Sequence, residues 1–204
     1  MNKKNKIAII GLGYVGLPLA IAFSKYYRVI GFDINLDRIN DLNNSLDING
    51  DVKFRKNQNT LFTNNISDIS SANIYIITVP TPIKEDTLPD LSMLEDASDM
   101  VGKLLKYNDI VIYESTVYPG VTEDICVPIL EKESKLKYNV DFYCGYSPER
   151  ISPGAGKYKL ENIVKVTAGS NSKTALIVDN LYWNELSIIS KSAISSLSSV
   201  IKSL

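Results

Sequence analysis

Three glycines near the start of the chain, Gly11, Gly13 and Gly16 in KIAIIGLGYVGLPLAIAF, stand as G-x-G-x-x-G. That spacing suits one kind of chemistry. Gly11 makes a tight turn, Gly13 lets a pyrophosphate approach the backbone, and Gly16 lets a helix pack closely on a strand. The N–H groups opening such a helix, with about half a positive charge, favour phosphate. A carboxylate, Asp33, follows 22 positions after Gly11 and closes the apolar run RVIGF. An acidic residue at that distance accepts hydrogen bonds from an adenosine ribose. It also repels a 2′-phosphate by several kcal/mol at an effective dielectric near ~20, which selects NAD over NADP. Without the glycines, Asp33 would read simply as the cap of the next helix. Arg38, five residues on, can either cover the adenosine or pair with Asp41 on the surface, and spacing leaves both open.

Other polar groups fall just past apolar runs. Thr81 follows NIYIITV within Val79-Pro80-Thr81-Pro82, Thr116 follows DIVIY, and Glu149 and Arg150 follow the run from Asp141 to Gly145. Thr and Pro also end strands for purely structural reasons. Four such groups on the edge that carries the glycine turn favour a ligand site, because open α/β sheets bind ligands outside their strand C-termini. Histidine is absent, which removes Ser-His-Asp, Cys-His and His-based metal chemistry. Cys126 and Cys144 have no metal or redox spacing and lie among apolar residues, as buried, reduced thiols of a cytoplasmic protein do. The net charge of −1, without a dense basic block, gives nucleic acid no electrostatic footprint.

These residues need elements to hold them. Lys6–Ile10 reads as a buried strand, and Val15, Leu19, Ala22 and Phe23 then share one helix face. A secretory leader is the rival reading, with MNKKNK as its basic start and Ala20-Ile21-Ala22 as a cleavage site. The apolar run, broken by three glycines and Pro18, is long for a leader and short for a membrane span, so neither leader nor membrane is expected. Further strands are expected at Arg28–Phe32, Asn73–Val79, Asp109–Tyr113, Asp141–Gly145 and Asn162–Thr167. Helices are expected between them, one opened by a Ser92/Glu95 capping box, one kinked or divided at Pro128 and one capped by Ser170. Alternation of this kind predicts an α/β fold, a doubly wound, mostly parallel Rossmann-type sheet.

GLGYVGLPLA, VIGFD, the VPTP turn, ESTVYPGVTED and YSPER, in this order, resemble the UDP-glucose/GDP-mannose dehydrogenases over roughly residues 6 to 183. ESTVYPG with YSPER is most similar to the UDP-N-acetylhexosamine 6-dehydrogenases of surface-polysaccharide synthesis. The resemblance implies oxidation of a sugar C6 alcohol to a carboxylate with two NAD⁺ and one water. It implies that Tyr14 and Val15 lie against the pyrophosphate, that Asp33 and Arg38 hold the adenosine, and that Thr81 and Thr116 line the dinucleotide cleft. Glu149 matches the acid/base residue, with Thr116 positioning water or cofactor, and Arg150 and Ile151 match positions that touch the UDP-sugar.

Family members are roughly twice this length and pair as homodimers through a central helix. Their second half supplies a lysine, an asparagine and a cysteine nucleophile, and neither Cys126 nor Cys144 matches that cysteine. The expected organisation is therefore an NAD-binding domain over 1–183 and a Ser-rich tail over 184–204, a remnant of the linking helix. Eight serines fall among residues 187–204, although Ile194, Leu197 and Ile201 keep a helical stripe. The expectation is a truncated or frame-disrupted dehydrogenase, inactive alone for want of the thiol. The alternative is a non-catalytic NAD-binding module.

Overall fold

In the computed structural model, residues 5–49, 53–84, 88–148, 166–186 and 191–192 are described. The run after Asn5 forms strand β1 (Lys6–Ile10), followed by helix α1 (Gly16–Phe23) and strand β2 (Arg28–Phe32). Helix α2 (Leu36–Asn43), strand β3 (Thr60–Thr63), helix α3 (Ile66–Ile69) and strand β4 (Ile74–Ile77) complete the first half. The second half carries helix α4 (Ser92–Gly102), strand β5 (Ile110–Tyr113), a π-helical turn (Thr122–Cys126), helix α5 (Val127–Ser134) and strand β6 (Tyr143–Tyr146). Strand β7 (Val166–Gly169), helix α6 (Ser172–Leu186) and the two-residue strand β8 (Lys191–Ser192) follow.

The strands lie in the order β3-β2-β1-β4-β5-β6-β7-β8. All pairs are parallel except β6 with β7, which is antiparallel. This is the doubly wound arrangement expected from the alternation, and its order reverses between β1 and β4, where such sheets bind ligands. Successive side chains of a strand face opposite sides of the sheet, and the central strands feed two cores accordingly. Ile7, Ile9, Ile74, Ile76, Ile110 and Ile112 join Leu19, Phe23, Leu42 and Tyr182 on the face covered by α1, α2 and α6. Ala8, Ile10, Tyr75, Ile77, Val111 and Tyr113 join Leu94, Val101 and Leu130 on the face covered by α4 and α5. Burial on both faces explains why these strands read as continuous apolar runs rather than alternating ones.

The opening segment is thus the central strand and first helix of the domain, with Ile7, Ala8 and Ile9 fully buried. Among the described residues, no helix is long and apolar enough to cross a membrane. Several local expectations are corrected. Helix α4 starts without a Ser92/Glu95 capping box. Asp90 Oδ1 accepts the Ser92 N–H at 3.0 Å, and Ser92 is already the first helical residue. Ser170 does not cap α6. Its hydroxyl accepts the Cys144 N–H at 3.3 Å, while Asn171 Oδ1 accepts the Thr174 N–H at 2.9 Å and its carbonyl accepts the Ala175 N–H. The helical stretch is not divided at Pro128 but runs on through residues 121–134, π-helical over Thr122–Cys126 and α-helical from Val127, with Pro128 just past that switch. Strand β6 starts two residues later than expected, at Tyr143, and ends one residue later, at Tyr146. Residues 162–165 of the expected NIVKVT strand, and the Ile194–Ile201 stripe of the tail, lie outside the described residues.

Candidate functional site

The glycine loop is locked to the sheet by three polar contacts. The Gly11 N–H donates to the Phe32 carbonyl at 2.8 Å, continuing the β1–β2 ladder past its last strand residue. Gly11 itself has φ +92°, a conformation that costs an L side chain and not glycine. Thr78, at the end of β4, donates its hydroxyl to the Ile10 and Gly11 carbonyls at 3.0 and 2.7 Å. A methyl on Gly16 would sit 1.9 Å from the Gly11 carbonyl oxygen and 2.5 Å from Thr78 Oγ1, so α1 can approach the strand only with glycine there. A methyl on Gly13, by contrast, meets nothing within 4 Å. The loop is closed at Gly16 and open at Gly13, as a phosphate cradle requires.

Asp33 continues β2 and turns its carboxylate back to the loop. Its Oδ2 accepts the Leu12 N–H at 2.8 Å and its Oδ1 accepts the Asn35 N–H at 2.9 Å. The cap of α2 is Asn35, whose Oδ1 accepts the Asp37 and Arg38 N–H groups, so Asp33 is not that cap. Two lone-pair directions of the carboxylate are taken and the others remain for a ribose diol. Arg38 does not pair with Asp41. It directs Nε and Nη2 to the Leu12 carbonyl at 3.0 and 2.8 Å and Nη1 to Asp47 at 2.7 Å.

On the other side of β1, the ends of β4 and β5 are tied together. Thr81 Oγ1 donates to the Thr116 carbonyl at 2.7 Å and Ser115 Oγ donates to the Val79 carbonyl at 2.5 Å. Glu114, only 1% exposed, accepts a hydrogen bond from the buried Tyr182 hydroxyl of α6. Gly11, Gly13, Tyr14, Val15, Asp33, Thr78, Thr81, Glu114 and Thr116 surround one cavity of about 480 Å³ at the C-terminal edge of the sheet. Tyr14 is exposed and Val15 buried at its wall. A smaller hollow of about 240 Å³ opens at the opposite edge beside Lys6, Arg28 and Asn59, where strands begin.

The structure therefore brings together Gly11, Gly13, Gly16, Tyr14, Val15, Asp33, Thr81 and Thr116. Glu149, Arg150 and Ile151 lie outside the described residues. Sequence reasoning missed Thr78, Glu114 and Asp47. Thr78 reads as one more strand residue, and Asp47 reads as surface because it is a carboxylate between two apolar residues, Leu46 and Ile48, which in the structure are the exposed ones.

The cavity fits a dinucleotide. The start of α1 has no side-chain cap, the space beyond Gly13 is clear, and a carboxylate stands where a ribose would lie. Among the described residues no cluster of His, Cys, Asp or Glu could hold a metal ion.

Comparison with known proteins gives the same direction. Residues 5–185 match the NAD-binding domain of the UDP-glucose/GDP-mannose dehydrogenase family. The UDP-N-acetyl-D-glucosamine 6-dehydrogenase of Pseudomonas aeruginosa is 51% identical over 183 residues, which cover 88% of this chain and 43% of that protein. Protein CapL of Staphylococcus aureus is 49% identical, over 89% of this chain and 43% of its own length. A solved UDP-D-ManNAc dehydrogenase from Pyrococcus horikoshii superposes with a TM-score of 0.80 at 31% identity, over 96% of this chain and 49% of that one. The chain spans less than half the length of the curated relatives it matches.

Proposed function

The chain belongs to the UDP-glucose/GDP-mannose dehydrogenase family, and we propose from that premise that it is the NAD-binding half of a nucleotide-sugar 6-dehydrogenase. Its substrate in this reading is a UDP-N-acetylhexosamine, whose C6 alcohol is oxidised to the uronate at the expense of two NAD⁺ and one water. The observation that carries the reading is the clear space beyond Gly13 at the uncapped start of α1, within one cavity with Asp33. NAD, when bound, supplies the hydride acceptor.

The residues of this half bind and orient. The loop from Gly11 to Gly16, with Tyr14 and Val15, receives the pyrophosphate on backbone N–H groups. Asp33 accepts the ribose hydroxyls and rejects a 2′-phosphate. The order reversal between β1 and β4 sends the other end of the dinucleotide over β4 and β5, where Thr81 and Thr116 border its path. Thr116 positions water or cofactor rather than acting as a base, since a hydroxyl is a poor base without a partner. Glu149 takes the acid/base role near the sugar C6, with Arg150 and Ile151 against the nucleotide-sugar.

Calorimetry of the 204-residue chain tests the cofactor reading. NAD⁺ is expected to bind, with NADP⁺ weaker by about tenfold or more. Gly13→Trp should abolish binding by filling the phosphate space, with little change in the unfolding midpoint, because its Cβ meets nothing within 4 Å. A wild-type chain that does not bind NAD⁺, or a Gly13→Trp variant that binds it equally well, would refute the reading.

A further inference from the structure

We propose that Asp47 is a positioning residue for the dinucleotide, acting through Arg38 on the Leu12 peptide; the inference rests on the NAD-binding reading above. Asp47 lies after α2, between Leu46 and Ile48, whose side chains are exposed by 52% and 69%. Its own side chain is turned inward and only 2% exposed, and the Arg38 side chain it meets is 11% exposed. Burying two opposite charges is weak evidence for stability, since the desolvation of both offsets much of their attraction. What this pair supplies is direction.

The direction fixed here is that of the glycine loop. Arg38 grips the Leu12 carbonyl with two nitrogens, Nε at 3.0 Å and Nη2 at 2.8 Å, and its third nitrogen is held by Asp47 at 2.7 Å. The fork is rigid and planar, so anchoring one prong orients the other two. A trans peptide is planar, with its C=O and N–H pointing in opposite directions. Pulling the Leu12 carbonyl toward the guanidinium therefore turns the Gly13 N–H away from it, at the residue whose surroundings are open. The preceding peptide is set in the same way, because the Leu12 N–H is held by Asp33 at 2.8 Å. Two successive peptide planes of the phosphate-binding loop are thus set by charged side chains. Asp33 reaches one directly, and Asp47 reaches the other through Arg38. Such preorganisation raises affinity by removing the cost of ordering donors at the moment of binding.

The role predicts a selective defect. Calorimetry or ligand-observed NMR would compare NAD⁺, ADP and adenosine on the full chain and on Asp47→Asn and Asp47→Glu, with unfolding midpoints measured alongside. Asp47→Asn should weaken NAD⁺ and ADP by about tenfold each and leave adenosine, which lacks the diphosphate, unchanged. Asp47→Glu, which keeps the charge, should recover part of the loss. Parallel losses for all three ligands would make Asp47 merely structural and overturn the proposal, as would unchanged NAD⁺ and ADP affinities. Should Asp47→Asn fail to fold, Arg38→Lys carries the test, since a lysine keeps a charge for Asp47 but loses the two-pronged grip. The same selective loss is then expected, and equal or absent losses overturn the inference. Failure of the NAD-binding reading itself would show separately, as a wild-type chain that binds none of the three.

Discussion

A single methyl group separates two outcomes in the glycine loop. On Gly16 it would meet the Gly11 carbonyl oxygen at 1.9 Å and Thr78 Oγ1 at 2.5 Å, and neither can retreat, since both are tied into the β1–β4 edge. On Gly13 it meets nothing. Gly16→Ala is therefore expected to cost about 3 kcal/mol or more in urea unfolding, and Gly13→Ala less than about 1 kcal/mol. Equal costs at the two positions would refute this account of the loop. Thr78→Val should cost about 1–2 kcal/mol, because the Gly11 carbonyl loses its hydroxyl donor while the Ile10 carbonyl keeps only the residue-78 N–H. The glycines and Asp33 were legible from sequence because their requirement is local, a fixed spacing around one turn. The partners of Arg38 were not. Its choice of the Leu12 carbonyl and Asp47 over Asp41 depends on the approach of α2 and its following loop to β1, which no local pattern records.

At the scale of elements, the strands buried on both faces announced themselves by apolar runs, and strand β3 did not. Thr60–Thr63 is an edge strand with Leu61 exposed, bounded by Asn57, Asn59 and Asn65, so its composition reads as loop. The misread helix starts have one cause. Asp90 and Asn171, rather than neighbouring Ser92 and Ser170, have side chains that meet free N–H groups, a choice set by backbone direction and not by residue type. The start of β5 carries a liability the sequence did not suggest. Asp109 is 4% exposed, and burial pushes its carboxyl up to about 6, opposed by the Lys106 N–H it accepts. The folded state thus holds this proton more tightly than the unfolded chain. The associated stability is full below about pH 4 and is lost as pH rises through about 6. Asp109→Asn keeps an acceptor for Lys106 and carries no charge. It is expected to be more stable than the parent at pH 7, by on the order of 2 kcal/mol, and to flatten stability between about pH 4 and 6. Urea unfolding across that range checks it; a variant with the parent's pH dependence would show that Asp109 is not the source.

At the scale of the whole molecule, the two thiols of this half are withheld from chemistry. Cys126 and Cys144 are both fully buried in the core between the sheet and helices α4 and α5. Burial pushes the Cys126 thiol up to about 11 and the Cys144 thiol well above the usual range. A thiolate is the nucleophile, so neither residue can capture an aldehyde from the folded state. Both belong to the packing that holds α4 and α5 on the sheet. A thiol reagent such as a disulfide-exchange dye should therefore label neither cysteine until the domain opens. Its rate should follow global unfolding and rise with urea for both sites together. The same withdrawal sets the expected activity of these 204 residues. Supplied with UDP-N-acetylglucosamine and NAD⁺, the chain should bind the cofactor and form no uronate, because oxidation of an aldehyde through a thiol adduct has no thiolate to use. Rapid labelling of native protein, or uronate formation that stops when Cys126 or Cys144 is replaced by Ser, would place a thiol nucleophile inside this half.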